Sequence, residues 1–407
     1  GGGGGVLRIE GEAGVGKTLL IDSLQARNQA GMRWVRLSCD EVLRGPLNPV
    51  VRHLRALTGQ QPGAALAQRR ARFDRVWPQV VGPAAGELTR ARVFIEGLLG
   101  LEPQDPLWHE LSPALRGANT LEALKDLVRG WCRTGPVVVV VDDVQWADAQ
   151  TSAWLQSLTR NVERWPLMLL CVARPDTQAT PLRPDAVVVV EALPATEFEA
   201  LIETRLGRRP DPELARYLQD KTAGNPFFAE QLCAELVASG RLELGSARAG
   251  LLPGDESAVP LTVADVCVAR IDRLSAEARG IVQAASVLGR RFPPAALAGL
   301  LDHADPDGLV VVGVRARMWT RDPDGLCTFR HGLLRDAAYG MLLHARRREL
   351  HGRAARALLA VYAGGLDAHA ADIAAQLEDA GEAGEAVVWW VRAVEHDELD
   401  AGLAAFF

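Results

Sequence analysis

The sequence predicts an α/β chain: a parallel sheet with helices on its faces, followed by a helical region, a small helix-and-hairpin domain and further helices. Three observations carry this expectation. Continuous apolar runs at residues 6–9, 34–37, 137–141, 167–172 and 187–190 read as strands buried on both sides. Helical patterns alternate with these runs, as in a sheet built from strand–helix–strand units. A glycine-rich octet, residues 11–18, lies between the first run and the helical stretch from Leu19 onward.

Taken in order, the five glycines 1–5 read as a flexible lead, and the expected α/β domain occupies 6–194. Within it, residues 45–135 are rich in Ala, Leu and Arg and broken by Pro46, Pro49, Pro62, Pro78, Pro103, Pro106 and Pro113, so several short helices are expected. After Glu191 the strand pattern stops. Helices at 196–206, 212–222 and 227–239 would form a helical lid, 195–240. Residues 241–260 are polar and rich in Gly and Pro and read as a linker. Helices at 262–274 and 276–288, then short strands within 309–329 around Pro323-Asp324-Gly325, fit a winged-helix domain over 261–345. The remainder, 346–407, is helical, with 370–380 and 382–396 as one TPR-like hairpin of a repeat that is expected to be truncated.

A length of 407 residues exceeds what one core usually organises, and a 48% hydrophobic content can fill several. No apolar run approaches the roughly 20 residues that cross a bilayer, and no signal-peptide pattern opens the chain. A cytoplasmic protein without membrane contact is therefore expected. Cys39, Cys132, Cys171, Cys233, Cys267 and Cys327 form no C-x-x-C pair, so they read as reduced core residues rather than zinc ligands or a disulfide framework. A net charge of −6 disfavours direct nucleic-acid binding.

Gly11-Glu12-Ala13-Gly14-Val15-Gly16-Lys17-Thr18 matches G-x-x-x-x-G-K-[ST] in the strand-to-helix context that the motif needs. Glycines let successive N–H groups converge on one anion, and the helix from Leu19 adds its dipole. Lys17 would reach the β and γ phosphates and the Thr18 hydroxyl would ligate Mg²⁺. Lysine occurs only at 17, 125 and 221, which makes a chance match improbable. Asp142 and Asp143 follow the apolar run 137–141. Asp142 would hold the metal's water shell, and Asp143 would orient or deprotonate the attacking water.

Arg174 ends the next run, at the sheet edge where a guanidinium reads a γ-phosphate; the alternative is a surface arginine before Pro175. From the residues alone, Gly224-Asn225-Pro226 is a helix stop and restart, and His331 a structural histidine. The other histidines lack metal-ligand spacing, and Arg346-Arg347-Arg348 reads as a solvated helical face.

Together GEAGVGKT, VVVVVDDVQWAD, CVARP, TAGNPFFAEQL, VPLTVADVCVARIDRLSAEARGIVQAASVLGRRF and FRHGLLRDAAYGML resemble the STAND class of P-loop ATPases, and the order and spacing match too. The modules most alike are those of large LuxR-type regulators, the maltose-regulon activator type included, and of some bacterial adenylate or guanylate cyclases. The resemblance implies a P-loop NTPase domain of the ASCE type. It also implies a sensor role for Arg174, adenine contact for Pro226, and for His331 the place of the histidine that touches the ADP β-phosphate. Arg330 and Gly332 stand where that histidine's usual neighbours are Met and Asp. Val172 and Ala173 replace hydroxyl residues of related proteins.

The function implied is a slowly hydrolysing ADP/ATP conformational switch in bacterial signalling or transcription, answering a small-molecule or protein inducer and assembling into a homo-oligomer with ATP. The chain is expected to be a fragment, since neither an output domain nor the element upstream of the first strand is present. Two other readings stay open: an origin-recognition-like DNA-loading ATPase, and a scaffold that binds nucleotide without hydrolysis.

Overall fold

The computed structural model describes residues 3–28, 31–39, 45–60, 64–175, 182–244, 248–252, 262–322 and 324–401. Pro323, half of the expected linker and the chain end beyond 401 lie outside them.

The first region runs β1 (Gly5–Glu10), α1 (Lys17–Arg27), β2 (Arg33–Ser38), α2 (Asn48–Leu57), α3 (Leu66–Val81), α4 (Thr89–Leu98), α5 (Pro106–Glu110), α6 (Pro113–Cys132), β3 (Val137–Asp142), α7 (Ala149–Thr159), β4 (Leu167–Ala173) and β5 (Ala186–Val189). The five strands form one parallel sheet in the order β2-β3-β4-β1-β5. The continuous apolar runs thus become adjacent parallel strands. One face is thickly covered: Val139, Val141 and Leu169 pack under Phe73, Phe94, Leu127 and Trp154 from the helices. Each such side chain contributes about 1.5–3 kcal/mol by leaving water.

Buried strands covered on both faces were expected, which holds for the central strands but not for β5. The opposite face carries a small cluster, Ile9, Val138, Val140, Leu170 and Val172, to which α1 adds Ile21. Leu19, Leu20 and Leu24 of α1 and Val187, Val188 and Val189 of β5 are exposed.

The second region holds α8 (Ala195–Leu206), β6 (Arg209–Pro210), α9 (Pro212–Thr222), α10 (Pro226–Ala238), β7 (Leu242–Leu244) and β8 (Arg248–Leu251). Strands do not end at Glu191, as the sequence suggested. β6, β8 and β7 make a small three-stranded sheet, and Leu242 and Ala249 pack with Phe198, Leu218 and Leu232 of the helices. Residues 242–244 and 248–251 of the expected linker are therefore strands, and Leu242, Ala249 and Leu251 pack into a core.

The third region contains α11 (Val263–Asp272), α12 (Ala276–Val287), β9 (Arg291–Phe292), α13 (Pro294–Leu301), α14 (Pro306–Arg315), β10 (Trp319–Arg321), β11 (Cys327–Phe329), α15 (Gly332–Gly340), α16 (His344–Val361), α17 (Ala370–Ala380) and α18 (Ala383–Ala401). β10 and β11 pair antiparallel around Gly325, and β9 joins on the other side of β11. Trp319 meets Phe292 and Phe329 edge to face in the core, and the two phenylalanine rings are tilted against each other. The stretch 309–315, expected as strand, is helical. Asp305 caps it by accepting from Gly308 N, and Pro306 starts it, so the cap decides against the β-branched valines. No helix among the described residues is long and apolar enough to cross a membrane.

Candidate functional site

The register of the sheet assembles the site. Glu10 at the end of β1 pairs with Ala173 of β4, and Asp142 at the end of β3 pairs with Ser38 of β2. The octet 11–18, Arg174 and Asp142-Asp143 therefore share one sheet edge, with β4 between loop and carboxylates. Strand spacing sets that separation at about 10 Å, room for a polyphosphate.

In the loop, Gly14 and Gly16 take φ of 87° and 103°, left-handed conformations that only glycine adopts freely. Helix α1 starts at Lys17 with no side chain capping its first turn, so its leading N–H groups remain donors for an anion. Thr18 and Leu19 are exposed at that turn. The Lys17 ammonium donates back to the carbonyls of Gly11 (2.6 Å) and Glu12 (2.8 Å). Burial lowers its pKa, Asp143 and Asp142 pull it upward, and the charge of Arg174 pushes it down again. The lysine, both carboxylates and the strand-end arginine are thus in electrostatic contact.

Asp142 titrates higher than an ordinary carboxyl because it is desolvated and beside Asp143; Arg290, Arg36 and Lys17 oppose the rise. Asp143 adopts the left-handed region (φ 53°, ψ 47°), which turns its side chain out of the strand. One oxygen accepts from Gln145 Nε2 at 3.2 Å, the other from Arg290 Nη1 at 2.5 Å. Asp148 has a different job: it caps α7 through Thr151 N and accepts from Leu47 N at 3.0 Å, pinning the insert to the sheet edge.

The segment 224–228 touches the loop directly. Asn225 caps α10 by accepting from Phe228 N, while its Nδ2 donates to Ala13 O at 2.9 Å. Phe227 N donates to Gly14 O at 3.3 Å, and Pro226 takes the first helical position. A Cβ on Gly14 would come within 2.9 Å of both Asn225 Oδ1 and Phe227 Cβ, so glycine is required there by this approach and by φ. The Phe227 ring lies 4.0 Å from that of His331, the residue that opens α15. Partial burial, then Arg290, Arg270, Arg330 and Arg205, push the imidazole down to about 4, so it is neutral at pH 7.

Residues 1–172 match the family model of the AAA ATPase domain, and residues 194–242 a domain of unknown function (DUF8739). A STAND protein with a tetratricopeptide repeat sensor from Pyrococcus horikoshii superimposes on 98% of this chain and 56% of its own length, with TM-score 0.52 and 14% identity. The chain has the fold of a STAND-class P-loop ATPase. An uncharacterized protein of Rhizobium meliloti (strain 1021) is 27% identical over 381 residues, 86% of this chain. The chain spans 34% of that relative's length.

Three residues at this site carry no site signal of their own in the sequence: Arg290, Asn225 and Phe227. In the sequence Asn225 reads only as part of the helix stop and restart Gly224-Asn225-Pro226. Arg290 follows Gly289 (φ 98°), the glycine that ends α12 and aims the next residue at the sheet edge. Nothing in its spacing from Asp143 announces the pairing.

Proposed function

We propose that this chain is the nucleotide-switch part of a regulatory ATPase in bacterial signalling or transcription, held closed by contacts between its C-terminal region and the P-loop edge. The observation that carries the reading is the Arg290–Asp143 ion pair, which joins the turn before β9 to the carboxylate that this reading assigns to water activation.

In this reading Gly11, Glu12, Ala13, Gly14, Val15, Gly16, Lys17, Thr18 and Leu19 cradle the phosphates of ATP or ADP. Thr18 and Asp142 hold magnesium, which neutralises phosphate charge when bound. Asp143 positions and deprotonates water, Arg174 senses the γ-phosphate, and Pro226 lies against the base. His331, neutral and seated on Phe227, approaches the β-phosphate from the 261–345 region, which we read as a winged-helix domain. Residues 195–240 form the lid and 346–407 the start of a repeat array that receives a small-molecule or protein inducer.

While Arg290 occupies Asp143, the carboxylate cannot accept a proton, so turnover is slow. Exchange of ADP for ATP would shift the population toward an open form able to self-associate. The reading includes no membrane contact and no direct nucleic-acid contact. Calorimetry on nucleotide-stripped protein tests it: ADP and ATP with magnesium should bind wild type tightly and Lys17→Ala not at all. Equal binding by both would remove the phosphate cradle from the account.

A further inference from the structure

A second concave site lies in a cleft between α2 and the junction of α16 with α17, lined by neither the 11–18 loop nor Asp142 and Asp143. Its walls come from the first region (Arg52, Arg55, Gln60, Arg69) and from the last (Arg291, Tyr362, His369, Asp372). The cavity is about 130 Å³, more than one or two ordered waters occupy.

The chemistry of the lining is uneven. Four arginines face two aspartates, Asp324 and Asp372. Arg291 is already committed to Asp322 and Asp324. Arg55 gives one N–H to His369 Nε2 at 3.0 Å, and Arg69 gives its Nε to Gln60 Oε1 at 3.2 Å and one terminal N–H to Leu99 O. Each guanidinium carries five donors, so both keep capacity for an acceptor. Val51, Leu99, Leu326 and Val361 supply apolar surface, and the Tyr362 ring stacks flat on His369 at 3.5 Å.

Among the described residues, three buried polar atoms of this cleft have no hydrogen-bond partner. Gln60 is 5% exposed, and with Oε1 held by Arg69 its Nε2 donates to nothing; Asn48 Oδ1 and Asp372 Oδ1 accept from nothing. A buried donor or acceptor left unmet is costly, so these atoms call for a partner that enters the cleft. An amide donor flanked by guanidinium groups wants an anion, and the two orphan acceptors want a hydroxyl.

We propose that this cleft binds a small organic anion, a ring-bearing carboxylate or phosphate that also carries a donor hydroxyl, bridging the ATPase core and the C-terminal helices. The site stands on the cleft's own residues, independent of the nucleotide reading.

The probe is 4-hydroxybenzoate, with uncharged 4-hydroxybenzyl alcohol as control, titrated calorimetrically into the full chain. The acid should bind one to one, the alcohol should give no heat, and Lys17→Ala should leave binding unchanged. Gln60→Glu keeps the acceptor for Arg69 but puts negative charge where the anion sits, so affinity should fall tenfold or more. Ala56→Trp, at an exposed lining position on α2, should block the cleft without touching the core. Absence of heat from the acid at millimolar concentration overturns the proposal. So does binding that survives both cleft variants in folded protein, or binding that Lys17→Ala removes, which would place the anion in the phosphate loop.

Discussion

Arg290 and Asp143, 147 residues apart in the chain, meet at 2.5 Å and tie the turn after α12 to the end of β3. Both side chains keep partial solvent access, 32% and 25%, so the pair adds little to global stability, about 1 kcal/mol or less. Its importance is to the carboxylate it occupies. A double-mutant cycle with Arg290→Ala and Asp143→Ala, read by urea unfolding, should give a coupling energy of about 0.5–1 kcal/mol. Strict additivity would mean that the two groups do not meet in solution.

Asn225 serves α10 as its cap and the P-loop as a donor, and the two roles separate by substitution. Asn225→Asp keeps the capping oxygen and loses the Nδ2 bond to Ala13 O. Its melting temperature should stay near wild type while ADP affinity falls several-fold, because the loop loses a brace worth about 1 kcal/mol. Asn225→Ala should lose both. Wild-type ADP affinity in the Asp variant would show that the brace does not shape the loop.

The strands and the phosphate loop were legible because their signals are local: valine runs, and glycines beside one of three lysines. Helix α14 was not, since Val310, Val311, Val312 and Val314 mimic a strand. The decisive marks, Asp305 and Pro306, lie just upstream of the 309–329 stretch in which strands were expected. Strands β7 and β8 were hidden by their shortness and by Glu243, Arg248 and Gly250, which read as loop. For the site, single-chain spacing named the residues at the sheet edge. Arg290 was invisible because its partner is brought to it by tertiary packing alone.

His331 offers a pH readout. Its pKa falls from 6.5 to about 4 on folding, so between those values the unfolded chain binds more protons than the folded one. The stability linked to this ring is complete above pH 6.5 and is lost as pH drops toward 4. A ring-proton NMR titration should put its midpoint near 4, and His331→Asn should flatten the stability profile between pH 4 and 6.5. A midpoint at 6 or above would mean that the ring does not sit against Phe227 among the arginines.

Gly313 sets the packing of the third region, because a Cβ there would overlap the Trp319 indole, whose Nε1 donates to Val310 O at 3.2 Å. Trp319 is fully buried and has nowhere to shift. Gly313→Ala should cost about 1–3 kcal/mol by denaturant unfolding, despite the better helix propensity of alanine. A stabilised variant would contradict this packing.

The central claim is that the contact from Arg290 restrains a competent nucleotide site. Single-turnover phosphate release from ATP, measured on wild type and Arg290→Ala with magnesium saturating, tests it most directly. The freed Asp143 should speed release by roughly tenfold, about 1.4 kcal/mol of barrier, and Asp143→Ala should abolish the gain. Release from Arg290→Ala at or below the wild-type rate, in folded protein that still binds ATP, would contradict the account.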